Sequence, residues 1–563
     1  MISKSGGGVN RRTFLKAASA AVIGLPQRGP GVDAAEPART IYNGIRLPRP
    51  WPPERTSLPV RALPPPYLVS PPDVIRIDVG RQLFVDDFLI EETTLQRVFH
   101  AAEYYSGNPV LWPNTRWEKY DEYAERTKTR SNPAAMVFSD GVLYDPRDRL
   151  FKMWYMGGYT QNTCYAFSTD GITWEKPALD VVPGTNITLN SHRDSSTVWL
   201  DLAEPDPLRR FKLGYSYDTY LVLQDSPDGI HWKERGRTGP AGDRTTFFYN
   251  PFLERWVFSI RDEVGGGKGR YRRYWETASF AEGARWAANQ PVLWAGADAA
   301  DPRRPEYDVP AELYNLDCVA YESIMLGLFT IWRGERTDRE KPNDICVGYS
   351  RDGFHWARPD RQPFIPVSEH VGDWNWANVQ SAGGCCLVVG DRLYFYVSGR
   401  RGVPGTPDPG VCSTGLATLR RDGFVSMADA DDGRRVTRTD SALPRGTLVT
   451  RPVTFTGRCL FVNARIAGEL RVEILDRNGA VIAPFTAARC VPVSGDHTRM
   501  AVSWEGVRDV SSLAGRAVRF RFSLKDGELY AFWVSRSPEG SSGGYVGAGG
   551  PGFPGARDEG GRG

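Results

Sequence analysis

The sequence predicts an all-β chain, a five-bladed β-propeller followed by a β-sandwich, and three observations carry that prediction. A Ser-x-Asp-Gly-x-x-Trp hairpin recurs through the middle of the chain. Fifty-nine Gly and 42 Pro punctuate the 563 residues with turns. From residue 445 the hairpin disappears and alternating strands take over. A disordered chain is excluded by 41% hydrophobic residues and by 17 Trp, 24 Tyr and 25 Phe, far more packing surface than an unfolded chain carries.

The first 39 residues read as an address. Asn10-Arg11-Arg12-Thr13-Phe14-Leu15-Lys16 stands before a short apolar run, residues 17–25, and small residues follow at 32–35. This pattern resembles a twin-arginine export signal and predicts a protein of the periplasm or the extracellular space. The run is less than half of the roughly 20 residues needed to cross a bilayer, so no membrane span is expected. Residues 40–74 are crowded with proline and read as an extended linker.

The propeller is assigned to residues 75–436. Ser168-Thr169-Asp170-Gly171-Ile172-Thr173-Trp174 returns at 226–232 and at 350–356, and in worn form as Arg421-Asp422-Gly423-Phe424. The aspartates are separated by 58, 124 and 70 residues. The middle gap is two units, with a degraded copy near Ser279 to Trp286, which makes five. Ahead of each copy come a strand, a tight polar turn and a second apolar strand, as in Tyr144-Asp145-Pro146 before FKMWYMGG. Four-stranded units of this length arranged radially are propeller blades. Residues 445–536 lack the unit and read as the sandwich. Residues 537–563, mostly Gly, Ser, Pro and charges, read as a disordered tail.

The net charge of +3 gives no field to hold nucleic acid or an anionic membrane. Eight cysteines form no CxxC pair, and no histidine lies at zinc-ligand spacing. The thiols are therefore read as buried strand residues, and no cofactor is expected beyond an oxygen-liganded structural calcium ion.

Candidate chemistry lies where inner strands converge on the axis. Counting back from each first turn places Asp140, Asp194, Asp243 and Asp317 at odd offsets, which puts them on equivalent faces of four successive inner strands. Carboxylates gathered in a concave site raise one another's pKa and separate an acid from an ionised partner, as glycoside cleavage requires. Glu322 joins them as a further candidate, although the same count sets it at the turn end of its strand. Arg193 and Arg244 adjoin two of the aspartates and are candidates for binding sugar hydroxyls. So are Trp374, Trp376, Asn378 and Gln380, in a segment dense in indoles and amides.

The blade pattern, the Asp-Gly-x-x-Trp hairpins and the segment Asn108-Pro109-Val110-Leu111 resemble the five-bladed propeller glycosidases of glycoside hydrolase families 32 and 43, in particular secreted bacterial members with a twin-arginine leader and a C-terminal β-sandwich. The resemblance implies cleavage of fructosyl, arabinosyl or xylosyl linkages by a carboxylate from each of the first three blades. Arg193-Asp194-Ser195 is similar to the element whose aspartate stabilises the transition state, which implies that role for Asp194. Asp140 stands one residue before Gly141, where the family's nucleophile stands three before its glycine. The family's acid belongs to the third blade, where this chain offers Asp243, whereas Glu322 falls in the fourth. The expectation is an exported enzyme acting on a poly- or oligosaccharide. The alternative is a non-catalytic carbohydrate-binding or scaffolding propeller, and the scarcity of histidine, six in all, argues against a metal-dependent phosphodiesterase.

Overall fold

The computed structural model describes residues 39–119, 132–216, 219–263, 269–307, 309–335, 337–429 and 446–560. The export motif and the sequence boundary at 436 lie outside the described residues. Among the described residues helix is confined to single turns, and no helix is long and apolar enough to cross a membrane.

Five sheets form the blades of a β-propeller. Blade 1 runs from a broken inner strand, Ala135–Met136 and Val142–Asp145, through Leu150–Gly157 and Asn162–Ser168 to Ile187–Leu189. Blade 2 comprises Ser195–Leu200, Phe211–Ser216, Val222–Ser226 and Lys233–Arg237. Blade 3 comprises Thr246–Asn250, Arg255–Glu263, Arg270–Thr277 and Val292–Gly296. Blade 4 starts with the long inner strand Glu312–Glu322, followed by Ile324–Trp332 and Asp344–Ser350. Blade 5 has Asn378–Gln380 and Leu387–Val389 inside, then Arg392–Arg400 and Cys412–Arg420. Its outer strand is Glu103–Tyr104, from ahead of blade 1, so the ring closes by pairing Ala417 with Tyr104.

The recurring hairpins owe their shape to one side chain each. The Oδ1 of Asp170 accepts hydrogen bonds from the amides of Ile172 and Thr173, that of Asp228 from Ile230 and His231, and that of Asp352 from Phe354 and His355. Such Asx turns replace the backbone bonds that a two-residue reversal would lose. Trp174, Trp232 and Trp356 follow them, all half-buried.

Three boundaries differ from the sequence reading. Residues 75–99 belong to the C-terminal domain rather than the first blade: Ile75 pairs with Val453, Gln82 with Phe532 and Val98 with Ser426. They complete a ten-stranded sheet built on two 18-residue strands, Cys459–Asp476 and Val518–Ser535, whose pairing is interrupted by bulges near Ala464 and Glu469. Phe84, Phe88 and Leu89 sit in the core of that domain with Phe520, Phe522 and Phe532. Their alternating pattern is the same in a blade and in a sandwich, so periodicity did not separate the two.

The proline-rich segment is a packed strap, not a free linker. Ile41, Leu47 and Tyr67 are buried, Arg55 donates to the carbonyl of Trp294 at 2.9 Å, and the carbonyl of Val60 accepts from Ala299. The tail is not disordered through residue 560 either. Tyr545–Val546 adds a strand to the inner edge of blade 4, and Ala548 exchanges backbone bonds with Tyr144 of blade 1 and Cys386 of blade 5. The segment thus crosses the channel end opposite the starts of the inner strands. Its glycines serve close approach: a Cβ at Gly550 would stand 1.8 Å from the carbonyl oxygen of Val388, and one at Gly547, where φ is +60°, 2.4 Å from that of Cys386.

Candidate active site at the channel mouth

The starts of the inner strands define one mouth of the channel. Phe138 lies at the break in the blade 1 strand, buried and with φ +49°. The guanidinium of Arg244 lies 3.8 Å from the centroid of its ring and that of Arg400 5.8 Å. Arg244 and Ser381, from blades 3 and 5, also hold left-handed backbone, with φ of +57° and +60°. Such conformations cost of order 1–3 kcal/mol each in a non-glycine residue and cluster at functional sites.

The four aspartates that share a parity do not share a height. Asp194 immediately precedes its strand and Asp243 stands three before Thr246, so both reach the mouth, with side chains 28% and 42% exposed. Asp194 pairs with Arg244, whose Nη2 also donates to the Asp194 carbonyl at 2.6 Å. Asp243 pairs with Arg261 at 3.1 Å. Asp317 lies five residues into its strand and is sunk in the channel, accepting from Asn315 Nδ2 at 2.7 Å and the Ala382 amide at 3.0 Å. The same Asn315 amide contacts Ser139 and Ser381 at 3.1 Å, tying blades 1, 4 and 5 together below the mouth. Asp140 is fully buried in a two-pronged pair with Arg193 at 2.8 and 3.0 Å, locking blade 1 to blade 2. Burial pushes both carboxyls up, against the pull of Arg193 on Asp140. The turn-based count fails for Asp140 because the blade 1 strand is broken between Met136 and Val142, with Gly141 at φ +108°.

Glu322 is removed from the site. It ends the blade 4 inner strand at the far end of the channel, with φ +48° and no exposure. Its carboxylate accepts from the Arg81 amide at 3.1 Å, Arg421 at 3.0 Å and Ser542 Oγ at 2.7 Å. It therefore joins propeller, sandwich and tail in a buried charge network with Asp422 and Asp558. Burial raises its pKa, against the attraction of Arg421 and Arg81.

Of the proposed binding residues only Arg244 reaches the mouth. Arg193 is consumed by Asp140. Trp374 packs over Gly399 and Gly415 and meets Tyr104 edge-on at 5.7 Å, sealing the ring closure. Trp376 is covered by Arg339 at 5.0 Å. Asn378 donates to the Lys341 carbonyl at 2.6 Å, and Gln380 is fully buried.

Sequence reading missed residues that carry no repeat signal. Arg400, at the end of a blade 5 strand, lies 5.3 Å from the ring centroid of Tyr159 and pairs with Glu340. Glu340 comes from the loop joining Trp332 to Asp344, and burial raises its pKa despite Arg400 and Lys341. Its Oε2 is buried and has no hydrogen-bond partner among the described residues. Tyr314 stands under Arg270, which pairs with Glu312 at 2.6 Å. Arg272, buried behind the mouth, donates to the carbonyls of Arg244 and Tyr314 and staples blade 3 to blade 4. No cluster of three or more metal-ligating side chains occurs among the described residues.

No family description and no curated protein matches the sequence. Some solved structures are similar over part of the chain. A thermostable family-43 glycoside hydrolase is similar over 53% of this chain and 95% of its own, at 12% identity and a TM-score of 0.39. An N-acetylgalactosamine deacetylase from F. plautii covers 56% of this chain and 97% of its own, at 12% identity and a TM-score of 0.36. A fructofuranosidase from Schwanniomyces occidentalis covers 70% and 94%, at 11% identity and a TM-score of 0.33. At such distance the chemistry has to be read from side chains.

Proposed function

We propose that the chain is an exported glycoside hydrolase-like enzyme that cleaves a glycosidic bond of an oligo- or polysaccharide at the channel mouth. The observation that carries the reading is the sorting of carboxyls by height. Asp194 and Asp243 stand half-exposed at the rim over an aromatic and guanidinium floor, while Glu340, with a raised pKa, is buried against Arg400. Glycoside cleavage needs two carboxyls whose surroundings differ, and burial sets Glu340 apart from the rim pair. Asp194 stabilises positive charge building on the sugar ring. Glu340, whose pKa burial raises, is the candidate acid for the leaving oxygen, and Arg400 holds its other carboxyl oxygen. Asp243 is the second rim carboxylate, placed to activate water or attack. Tyr159, half-buried beside Arg400, supplies a ring face for stacking, while the Phe138 ring backs the Arg244 guanidinium. Secretion by the twin-arginine route follows from residues 10–16. The test is a hydrolysis screen of the mature protein on fructans, arabinans, xylans and galactans, with reducing ends as the readout.

The binding-only alternative has one observation in its favour: Arg244 holds Asp194 as tightly as a structural pair would. Binding without release of reducing ends on every glycan would establish that alternative.

A further inference from the structure

A cavity of about 680 Å³ lies away from the channel, between the proline-rich strap and the outer edges of blades 3 and 4. It falls within the roughly 300–1,000 Å³ common for small-molecule sites. The strap is pinned on both sides of it. Arg55 lies 5.0 Å from the ring centroid of Phe354 and bonds to the Trp294 carbonyl, and Tyr67 donates to the His355 carbonyl at 3.2 Å.

The two walls differ in chemistry. Leu58 and Pro66 of the strap and the half-buried Trp356 of blade 4 form an apolar wall. Facing them, Arg361 is fixed to Asp298 at 2.9 Å and to Asp301 at 3.2 Å, and Arg358 is fixed to Asp301 at 3.0 Å. Arg358 is 8% exposed and packs its guanidinium 4.7 Å from the ring centroid of Phe329, backing the polar wall. Paired charges present fixed donors and acceptors without net charge, which suits hydroxyl groups better than an ion. An amphipathic ring, with one apolar face and a hydroxylated edge, matches both walls at once.

We infer that this cavity is a second, non-catalytic binding site for a neutral sugar residue of a glycan, held by Trp356 on one face and by the Arg361–Asp298 pair at its edge. The ligand class rests on the glycan reading of the channel mouth; the site itself does not. A glycan held there would keep the enzyme on its polymer between cleavages.

The experiment uses the full chain with Asp194→Asn to stop turnover, titrated calorimetrically with xylohexaose, arabinohexaose and a fructan hexamer, and with trigalacturonate as the anionic probe. At least one neutral hexamer is expected to bind, and Ala297→Trp, which fills the cavity from blade 3, is expected to weaken that binding at least tenfold. Ala62→Trp, on an exposed position of the strap, does the same should the first variant fold poorly. Either cavity variant in the otherwise unchanged enzyme leaves cleavage of a small chromogenic glycoside intact. The inference is overturned if no neutral hexamer binds, if both fillings leave binding unchanged, or if trigalacturonate binds more tightly than the neutral probes. Cavity-dependent binding with no cleavage of any glycan by the unaltered enzyme would sink the hydrolase reading alone, whereas cleavage with no cavity-dependent binding sinks this inference alone.

Discussion

Replacing Glu322 by alanine distinguishes a structural anchor from a catalytic acid. The side chain accepts three hydrogen bonds, from the Arg81 amide, Arg421 and Ser542, in a site without solvent. Removing one partner from a buried ion pair costs about 3–5 kcal/mol, because the remaining charge stays desolvated. Here Arg81 keeps Asp422 at 2.8 Å and Arg421 keeps Asp558 at 3.2 Å, so the lower half of that range is expected. The loss concentrates on the tail, whose amides at Val546, Gly547 and Ala548 bond to Ala556, Ala320 and Cys386. A local cost of about 3 kcal/mol accelerates their hydrogen exchange by roughly a hundredfold or more. Activity should stay nearly unchanged, since the strand Glu312–Glu322 separates Glu322 from the mouth by about 30 Å at 3.3 Å per residue. The pH dependence follows from the raised pKa. As pH rises, the unfolded chain releases this proton first, so the native state holds more protons between the two pKa values. Stability therefore falls with rising pH across that window and levels off above the folded pKa. Glu322→Gln should flatten this dependence and cost less than alanine. An alanine variant with unaltered tail exchange and a hundredfold loss of turnover would refute the structural assignment.

Other outcomes follow from the same geometry. Gly550→Val should lower the unfolding midpoint and free the tail to exchange, because its Cβ meets a backbone oxygen that has nowhere to move; limited proteolysis near residue 550 checks this. Burial raises the Glu340 pKa, so its protonated form persists to higher pH and activity falls as pH climbs through that value; Glu340→Gln should abolish that alkaline limb in the pH profile of kcat/KM. Changing Arg11 and Arg12 to Lys should retain the protein in the cytoplasm, and unchanged fractionation outside it would contradict the export reading.

The blade number was legible because each Asp-Gly hairpin is a local device, an Asx turn that needs only its own residues, as at Asp170, Asp228 and Asp352. The height of a side chain along the channel was not. Asp194 and Asp317 share a strand face by parity, yet one stands ahead of its strand and the other lies within it, and period two records face alone. The tail misled because glycine-rich composition has two causes, disorder and close backbone approach, and only the neighbours of Gly547 and Gly550 decide between them. Arg400 and Glu340 meet from blade 5 and a blade 4 loop, 60 positions apart, and no spacing rule links them. Residues 75–99 crossed to the sandwich because ring closure used Glu103–Tyr104 instead.

The most direct test is Asp194→Asn assayed on whichever glycan the unaltered enzyme cleaves. Asn keeps the shape and the partner Arg244 but lacks the charge that opposes positive charge on the sugar ring. Preorganised groups of this kind are worth roughly 3–4 kcal/mol, so turnover should fall about a hundred- to a thousandfold with the melting temperature nearly unchanged. Full activity with a lowered melting temperature would show that the Asp194–Arg244 pair only holds blades 2 and 3 together, and would contradict catalysis at this mouth.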